Sequence, residues 1–233
     1  AGYNVAWADN QWVAVGEGGN TIASSPDGTT WTGREANVVF TKARGVAYGT
    51  GTWVAVGEGT NTIAYSANGI AWTGVGKTTF TTVANNVAWN GSLFVAVGQG
   101  GNTVAYSANG VTWSAVTGTT FATYGSDILW LNGSWIAVGS DATNYYLGSV
   151  DGLIWTGQGK GANTTEVVGV TGSTYINKVK YVIMEGSTNK SFTSYDGVTW
   201  INRIIPATYS NYITYTNGTW VAAVQAGIIY STD

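Results

Sequence analysis

The chain has 233 residues, of which 34 are glycine and 12 are tryptophan, and it contains neither cysteine nor histidine. These absences exclude disulfides, thiolate nucleophiles, imidazole bases and metal sites built from cysteine or histidine. Only 9% of the residues are charged and the formal net charge is −3, which argues against nucleic-acid binding, and Gly, Asn, Ser and Thr interrupt every apolar run, which argues against membrane insertion.

The elements of one repeat follow in a fixed order. The first strand is expected at residues 5–7 and the second at residues 12–16, with a glycine-rich turn at residues 17–20. The third strand is clearest in the second repeat, at residues 62–66, and the fourth lies around Trp72. β-Branched and aromatic residues favour strands, and no stretch shows the 3.6-residue period of a helix. We therefore expect an all-β chain.

Three classes of aromatic residue recur with a period close to 41 residues. The first class ends the first strand of each repeat, at Trp7, Tyr48, Trp89, Trp130, Tyr175 and Tyr215. The second class belongs to the second strand, at Trp12, Trp53, Phe94, Trp135, Tyr181 and Trp220. The third class leads into the fourth strand, at Trp31, Trp72, Trp113, Trp155 and Trp200. A β-type unit with this period is typical of propeller blades, and packing of blades accounts for every tryptophan.

The repeats predict a single β-propeller domain over residues 1–233. We expect six blades of about four antiparallel strands, with three strands in the last blade because the sixth repeat stops at Asp233, before its fourth strand. A five-bladed ring is the alternative. The repeats span residues near 5–45, 46–86, 87–127, 128–170, 171–212 and 213–233.

The turn before the fourth strand follows the pattern Ser-x-Asp/Asn-Gly-x-x-Trp. Its Asp or Asn residues are Asp27, Asn68, Asn109, Asp151, Asp196 and, in an incomplete copy, Asp233. Such a side chain can accept the next backbone N–H groups, and the glycine can adopt the left-handed conformation. We expect these residues to be structural and the tryptophan to pack the hairpin against the neighbouring sheet.

This turn resembles the Asp-box, or BNR-like, repeat of sialidase-type propellers, shortened by one residue between Asp and Gly. The wider pattern adds a Trp-Val-Ala-Val-Gly strand and a glycine-rich turn. It is similar to Asp-box-like arrays in bacterial surface proteins and in bacteriophage tail or receptor-binding proteins. The resemblance covers nearly the whole chain. It implies a propeller and an extracellular or virion-surface location, whereas it implies no single activity.

A sialidase-type propeller would hold a substrate carboxylate with three arginines and would add a Tyr–Glu nucleophile pair and an Asp acid/base. The arginines of this chain are Arg34, Arg44 and Arg203. However, the Arg-Ile-Pro signature of that family is missing, Arg34 and Arg44 share one linker, and the chain is far shorter than sialidases usually are. We therefore expect no catalysis, no metal and no cofactor, and a glycosidase is the least favoured alternative.

One face of the predicted ring collects most of the charged positions. The turns between second and third strands lie on this face, together with the linkers between blades, which also carry Lys42 and Lys77. Variable chemistry on a repeated scaffold marks where ligands bind, although charges in exposed loops also keep a protein soluble. The residues predicted to contact a ligand are Glu17, Asn20, Glu58, Asn61, Gln99, Asn102, Asp141, Asn144, Arg34, Arg44, Arg203, Tyr124 and Tyr145.

Two classes of function fit these features. The first is a non-catalytic binding module for carbohydrate or cell-surface recognition or adhesion on a viral, phage or bacterial surface, where several weak sites would add avidity. The second is a structural or protein-interaction propeller that docks one macromolecular partner without binding glycans. The expected partner is therefore a glycan or a protein receptor, and the isolated domain is expected to be monomeric.

Overall fold

The computed structural model shows an all-β chain. It describes residues 1–34, 39–160, 167–175, 178–185, 190–194, 201–204, 210–216, 219–224 and 227–231. Every regular element within these ranges is a β-strand, as the sequence predicted. The chain divides into two compact units, Ala1–Val116 and Thr117–Asp233, and the single domain stays a prediction.

The first unit contains three antiparallel sheets whose four strands are hydrogen-bonded in chain order. The first sheet consists of β1 (Gly2–Ala8), β2 (Gln11–Gly16), β3 (Ile22–Ser25) and β4 (Thr32–Arg34). The second consists of β5 (Lys42–Gly49), β6 (Thr52–Glu58), β7 (Ile63–Ser66) and β8 (Thr73–Gly76). The third consists of β9 (Phe80–Trp89), β10 (Phe94–Gly101), β11 (Val104–Ser107) and β12 (Ser114–Ala115). Each repeat therefore forms one sheet.

The second unit continues the same scheme with one addition. The short β13 (Thr117–Gly118) pairs in parallel with the last strand of the fourth sheet, a pairing that the repeat did not predict. The rest of that sheet is β14 (Tyr124–Leu131), β15 (Ser134–Ser140), β16 (Tyr146–Ser149) and β17 (Ile154–Gly157). The fifth sheet is β18 (Val167–Tyr175), β19 (Lys178–Glu185), β20 (Lys190–Ser194) and β21 (Ile201–Ile204). The sixth has three strands within the described residues, β22 (Ser210–Thr216), β23 (Thr219–Val224) and β24 (Gly227–Ser231).

The core lies between the faces of consecutive sheets. In the first unit, β1 lies beside β5 and β5 beside β9. One apolar cluster joins the first two sheets, with Val13 and Trp53 fully buried. A second joins the next two, with Val54 and Phe94 fully buried. Burial of these side chains is the main favourable term in the stability of the sheets.

The tryptophans are not all buried. Trp53 and Trp135 have no exposed surface and Trp155 has 1%, whereas Trp7 is 49% and Trp31 is 40% exposed. Both exposed tryptophans belong to the first repeat. Packing between blades was expected to account for every tryptophan, and these two depart from that expectation in a repeat where Val5 of β1 is also 51% exposed. Val46 of β5 and Val87 of β9 occupy the same position as Val5. They are buried because the preceding sheet of the first unit packs on them.

Candidate functional site

A β-bulge recurs at the same place in the first strand of every sheet that the structure describes. In β5, for example, Ala43 pairs with Gly57 and Gly45 with Val56, so that Arg44 is the extra residue. A bulge changes the direction of a side chain and is common beside functional sites. The extra residues are Tyr3, Arg44, Asn85, Ser126, Val168 and Asn211.

A group of four charged side chains, here called the charged cluster, forms around the bulge of β5. It consists of Glu17, Lys42, Arg44 and Glu58. Lys42 Nζ lies 2.9 Å from Glu17 Oε2 and 3.8 Å from Glu58 Oε1. Arg44 Nη2 donates to Glu58 Oε1 at 3.2 Å. The backbone places these groups together because Lys42 is paired with Glu58 and forms an isolated bridge with Glu17.

The charged cluster is partly exposed, since its side chains keep between 29% and 40% of their surface in solvent. The hydrogen bond from Lys42 lowers the pKa of Glu17, and the same bond raises the pKa of Lys42. Both groups are therefore charged at neutral pH. The cluster carries two positive and two negative charges.

Tyr3 extends the charged cluster, and the sequence reasoning missed it. The Tyr3 ring lies 5.7 Å from Lys42 Nζ, a cation–π distance. Burial and the neighbouring Glu17 raise the pKa of the Tyr3 hydroxyl. A signal was present in the repeat, because Tyr3 and Arg44 both stand four residues before the aromatic that ends the first strand. The structure thus brings Glu17, Glu58 and Arg44 together with Tyr3 and Lys42.

The predicted asparagines are used inside their own sheets. Asn61 Oδ1 accepts the N–H of Gly76 at 2.7 Å, and Asn144 Oδ1 accepts the N–H of Gly159 at 3.0 Å. Asn102 Nδ2 donates to the carbonyl of Thr79 at 2.8 Å. The fourth of these residues, Asn20, is exposed and leaves no room for a Cβ on Gly33 of β4. The described amides of Asn61, Asn102 and Asn144 therefore hold strand ends and linkers.

The remaining predicted residues of the third and fourth sheets lie apart from the charged cluster in sequence. Gln99 is half-buried in β10, and Tyr124 is half-buried at the start of β14. Burial opposes ionisation of Asp141, but N–H groups of Thr143 and Ala122 donate to its carboxylate and lower its pKa overall.

Tyr145 is only 7% exposed, and Lys160 Nζ lies 4.9 Å from its ring centroid. Its ring packs with the apolar cluster of the second unit. The ring therefore offers little free surface to a ligand, and its predicted contact stays a prediction.

The arginines have different surroundings. Arg34 Nε donates to Ser24 Oγ at 2.9 Å within the first sheet, whereas Arg44 belongs to the charged cluster. Arg203 lies in β21, but its side chain lies outside the described part of the structure. Among the described side chains, Arg34 and Arg44 therefore have different partners, Ser24 and Glu58.

The turns before the fourth strands are closed by side chains. Asp27 Oδ1 accepts the N–H groups of Thr29 at 2.8 Å and Thr30 at 2.7 Å. Trp31 Nε1 then donates to the carbonyl of Gly28 at 3.0 Å. The same bonds recur at Asn68, Asn109 and Asp151. Asp196 and Asp233 lie outside the described residues.

The described residues contain no group of three or more acidic side chains placed to hold a metal ion. Across the same ranges, no helix is long and apolar enough to cross a membrane.

Solved structures resemble the chain in fold. A structure of YCF48 bound to a D1 peptide superposes with a TM-score of 0.70 at 14% identity, covering 100% of this chain and 78% of the other. The designed protein Ika8 gives 0.63 at 13% identity, covering 96% and 68%. A candidate gluconolactonase gives 0.60 at 11% identity, covering 98% and 87%. These neighbours are all β-propellers. The chain is a β-propeller.

The sequence comparisons add no family to this result. No protein-family model matches the propeller, and no curated protein matches it either. Identities of 11% to 14% show the fold alone, because one fold hosts many functions. The number of blades in the ring stays a prediction.

Proposed function

We propose that this propeller is a non-catalytic binding module that docks a peptide segment of a protein partner on the charged cluster. The observation that carries the proposal is the chain of ion pairs Glu17–Lys42–Glu58–Arg44, which remains 29% to 40% exposed. Exposed ion pairs contribute little to folding. Four such groups from the first two repeats are therefore better explained by recognition, to which charged groups contribute specificity and faster association.

Three features favour a peptide over a sugar at this place. The amides of Asn61 and Asn144, which could have bonded sugar hydroxyls, bind backbone N–H groups of their own sheets. Tyr145, a candidate stacking residue, is buried. In addition, YCF48, a structural neighbour, has been seen with a bound peptide, so that a propeller of this kind has surface suited to an extended chain.

Glycan recognition on a viral, phage or bacterial surface is a second candidate function, and a different observation favours it. Trp7 and Trp31 of the first sheet are 49% and 40% exposed. Exposed tryptophan rings offer a large apolar surface to a ligand. This function would place the protein outside the cell or on a virion.

The test compares peptide and glycan binding by the same protein. We would probe the wild type and the variants Lys42→Met and Lys77→Met with an array of random dodecapeptides and with a glycan array. Lys77 is an exposed lysine outside the charged cluster, so its variant controls for loss of one positive charge. We expect peptides to bind and Lys42→Met alone to weaken them by about tenfold or more. Glycan binding without peptide binding would replace the proposal by the second candidate.

A further inference from the structure

We infer that the bulge residues of the first two sheets, Tyr3 and Arg44, select the partner's side chains, and that Arg44 receives a carboxylate of the bound peptide. This inference rests on the proposed function and names the chemistry of the ligand.

The bulge is constant, whereas the residue on it is not. All six first strands that the structure describes carry the irregularity, and the extra residue is Tyr, Arg, Asn, Ser, Val or Asn. Two positions further on, the residue is always Val or Ile, at Val5, Val46, Val87, Ile128, Val170 and Ile213. Packing explains why this position always holds Val or Ile, since Val46 and Val87 are only 5% and 4% exposed. A residue that varies on a bulge that recurs from sheet to sheet points to selection of a ligand rather than to packing.

The bulge directs its residue to the charged cluster in both sheets where those contacts are described. Tyr3, on the bulge of β1, interacts with Glu17 and Lys42. Arg44, on the bulge of β5, donates to Glu58. The two bulge residues are thus linked through Lys42, which lies between Glu17 and Glu58. Because β1 lies beside β5, neighbouring side chains of one extended peptide could meet Tyr3 and Arg44 in turn.

Arg44 has hydrogen-bonding capacity that its described partner does not use. A guanidinium carries five N–H donors, and Arg44 donates to Glu58 through Nη2 at 3.2 Å. Its Nε is buried, and the described residues offer it no hydrogen-bond partner. The side chain as a whole is 35% exposed. A planar guanidinium in this state is suited to a carboxylate, which it can bind with two parallel hydrogen bonds.

Glu58 does not prevent this exchange. Its Oε1 lies 3.2 Å from Arg44 Nη2 and 3.8 Å from Lys42 Nζ. When Arg44 turns to an incoming carboxylate, Glu58 still has Lys42 as a counterion, which it shares with Glu17. The incoming carboxylate takes the place of Glu58 beside Arg44. The ligand is therefore a peptide segment with at least one Asp or Glu.

The experiment selects dodecapeptides from a random phage-displayed library on three proteins. They are the wild type, the double variant Arg44→Glu with Glu58→Arg, and the control Lys77→Glu. The double variant keeps an ion pair and reverses the charge on the bulge, while the control reverses a charge elsewhere. We expect acidic residues to be enriched at one position by the wild type and the control, and basic residues to replace them with the double variant.

The outcomes separate the two proposals. If no protein selects any peptide, the proposed function fails and this inference fails with it. If peptides are selected but the double variant chooses the same residues as the wild type, the proposed function stands and the role of the bulge is overturned. Should circular dichroism show the double variant unfolded, Arg44→Lys is measured with the peptide selected by the wild type. We then expect about tenfold weaker binding at an unchanged melting temperature, and unchanged binding overturns the inference.

Discussion

Gly57 lies opposite the bulge at Arg44, where a Cβ on it would overlap the carbonyl oxygen of Lys42. The bulge turns that carbonyl toward the neighbouring strand, so only a residue without a side chain fits there. The same relationship joins three other glycines to the carbonyl oxygen two residues before the bulge of their sheet, namely Gly16, Gly98 and Gly139. The last glycine of the Trp-Val-Ala-Val-Gly motif is therefore present because of the bulge.

We expect Gly57→Ala to destabilise the protein by about 1–3 kcal/mol, since the added methyl group must displace the backbone at Lys42. The measurement is urea unfolding followed by tryptophan fluorescence. Gly19→Ala serves as the control, because a Cβ at Gly19 meets nothing within 4 Å. Equal stability of the two variants would show that the bulge relaxes without cost.

The turn residues before the fourth strands should be interchangeable between Asp and Asn but not replaceable by Ala. Asn109 Oδ1 accepts the N–H groups of Val111 and Thr112, both at 2.9 Å, and Asp fills this role in the first sheet. We expect Asn109→Ala to cost about 1 kcal/mol and Asn109→Asp to change stability little at neutral pH. Chemical denaturation of both variants checks this, and an equal loss for Asp and Ala would contradict it.

The carboxylates of these turns predict an acid dependence of stability. Backbone N–H groups lower the pKa of Asp27 and of Asp151 from the ordinary value of 3.8. The unfolded chain therefore binds protons first as the pH falls, so the stabilisation is complete above the ordinary value and is lost as the pH falls toward the folded-state values.

We expect the melting temperature of the double variant Asp27→Asn, Asp151→Asn to fall less than that of the wild type when the pH is lowered from about 6 to about 2. The reciprocal variant Asn68→Asp adds a carboxylate to the same kind of turn, and it should show a steeper loss. Parallel pH profiles for all three proteins would show that the carboxylates of these turns do not cause the acid dependence of stability.

Trp53 should tolerate phenylalanine. Its side chain is fully buried, its Nε1 has no hydrogen-bond partner among the described residues, and the third sheet has the fully buried Phe94 at this position. Trp53→Phe leaves a small cavity but removes a buried N–H, so we expect a change within about 1 kcal/mol. Trp53→Ala should cost about 3–5 kcal/mol. Thermal unfolding compares the two, and similar losses would show that ring packing is not what Trp53 contributes.

The repeat unit could be predicted because its signals act locally. Each aromatic of the first class meets its partner across one hairpin, as in the pair Tyr48 and Trp53 with ring centroids 4.9 Å apart. The Asx turns likewise close within a few residues. Such contacts join residues that are close in sequence, so they recur wherever the same residues recur at the same spacing.

The candidate site could be predicted only in part. Glu17, Glu58 and Arg44 were expected on one face, and the structure brings them together. Asn61 and Asn144 were expected to contact a ligand. In the structure, their amide oxygens accept hydrogen bonds from backbone N–H groups of Gly76 and Gly159. A polar residue in a turn has the same signature in sequence whether its side chain faces solvent or the chain itself.

The sequence by itself determined an all-β chain of repeated four-stranded units, because hairpin pairing, turn closure and aromatic spacing are encoded within about 40 residues. Only the tertiary structure decided which polar residues meet. The bulge that directs Tyr3 and Arg44 to the charged cluster arises from strand pairing, and the salt bridge between Lys42 and Glu17 joins residues of different sheets. Contacts between separate repeats depend on how the sheets pack, which the pattern within one repeat does not specify.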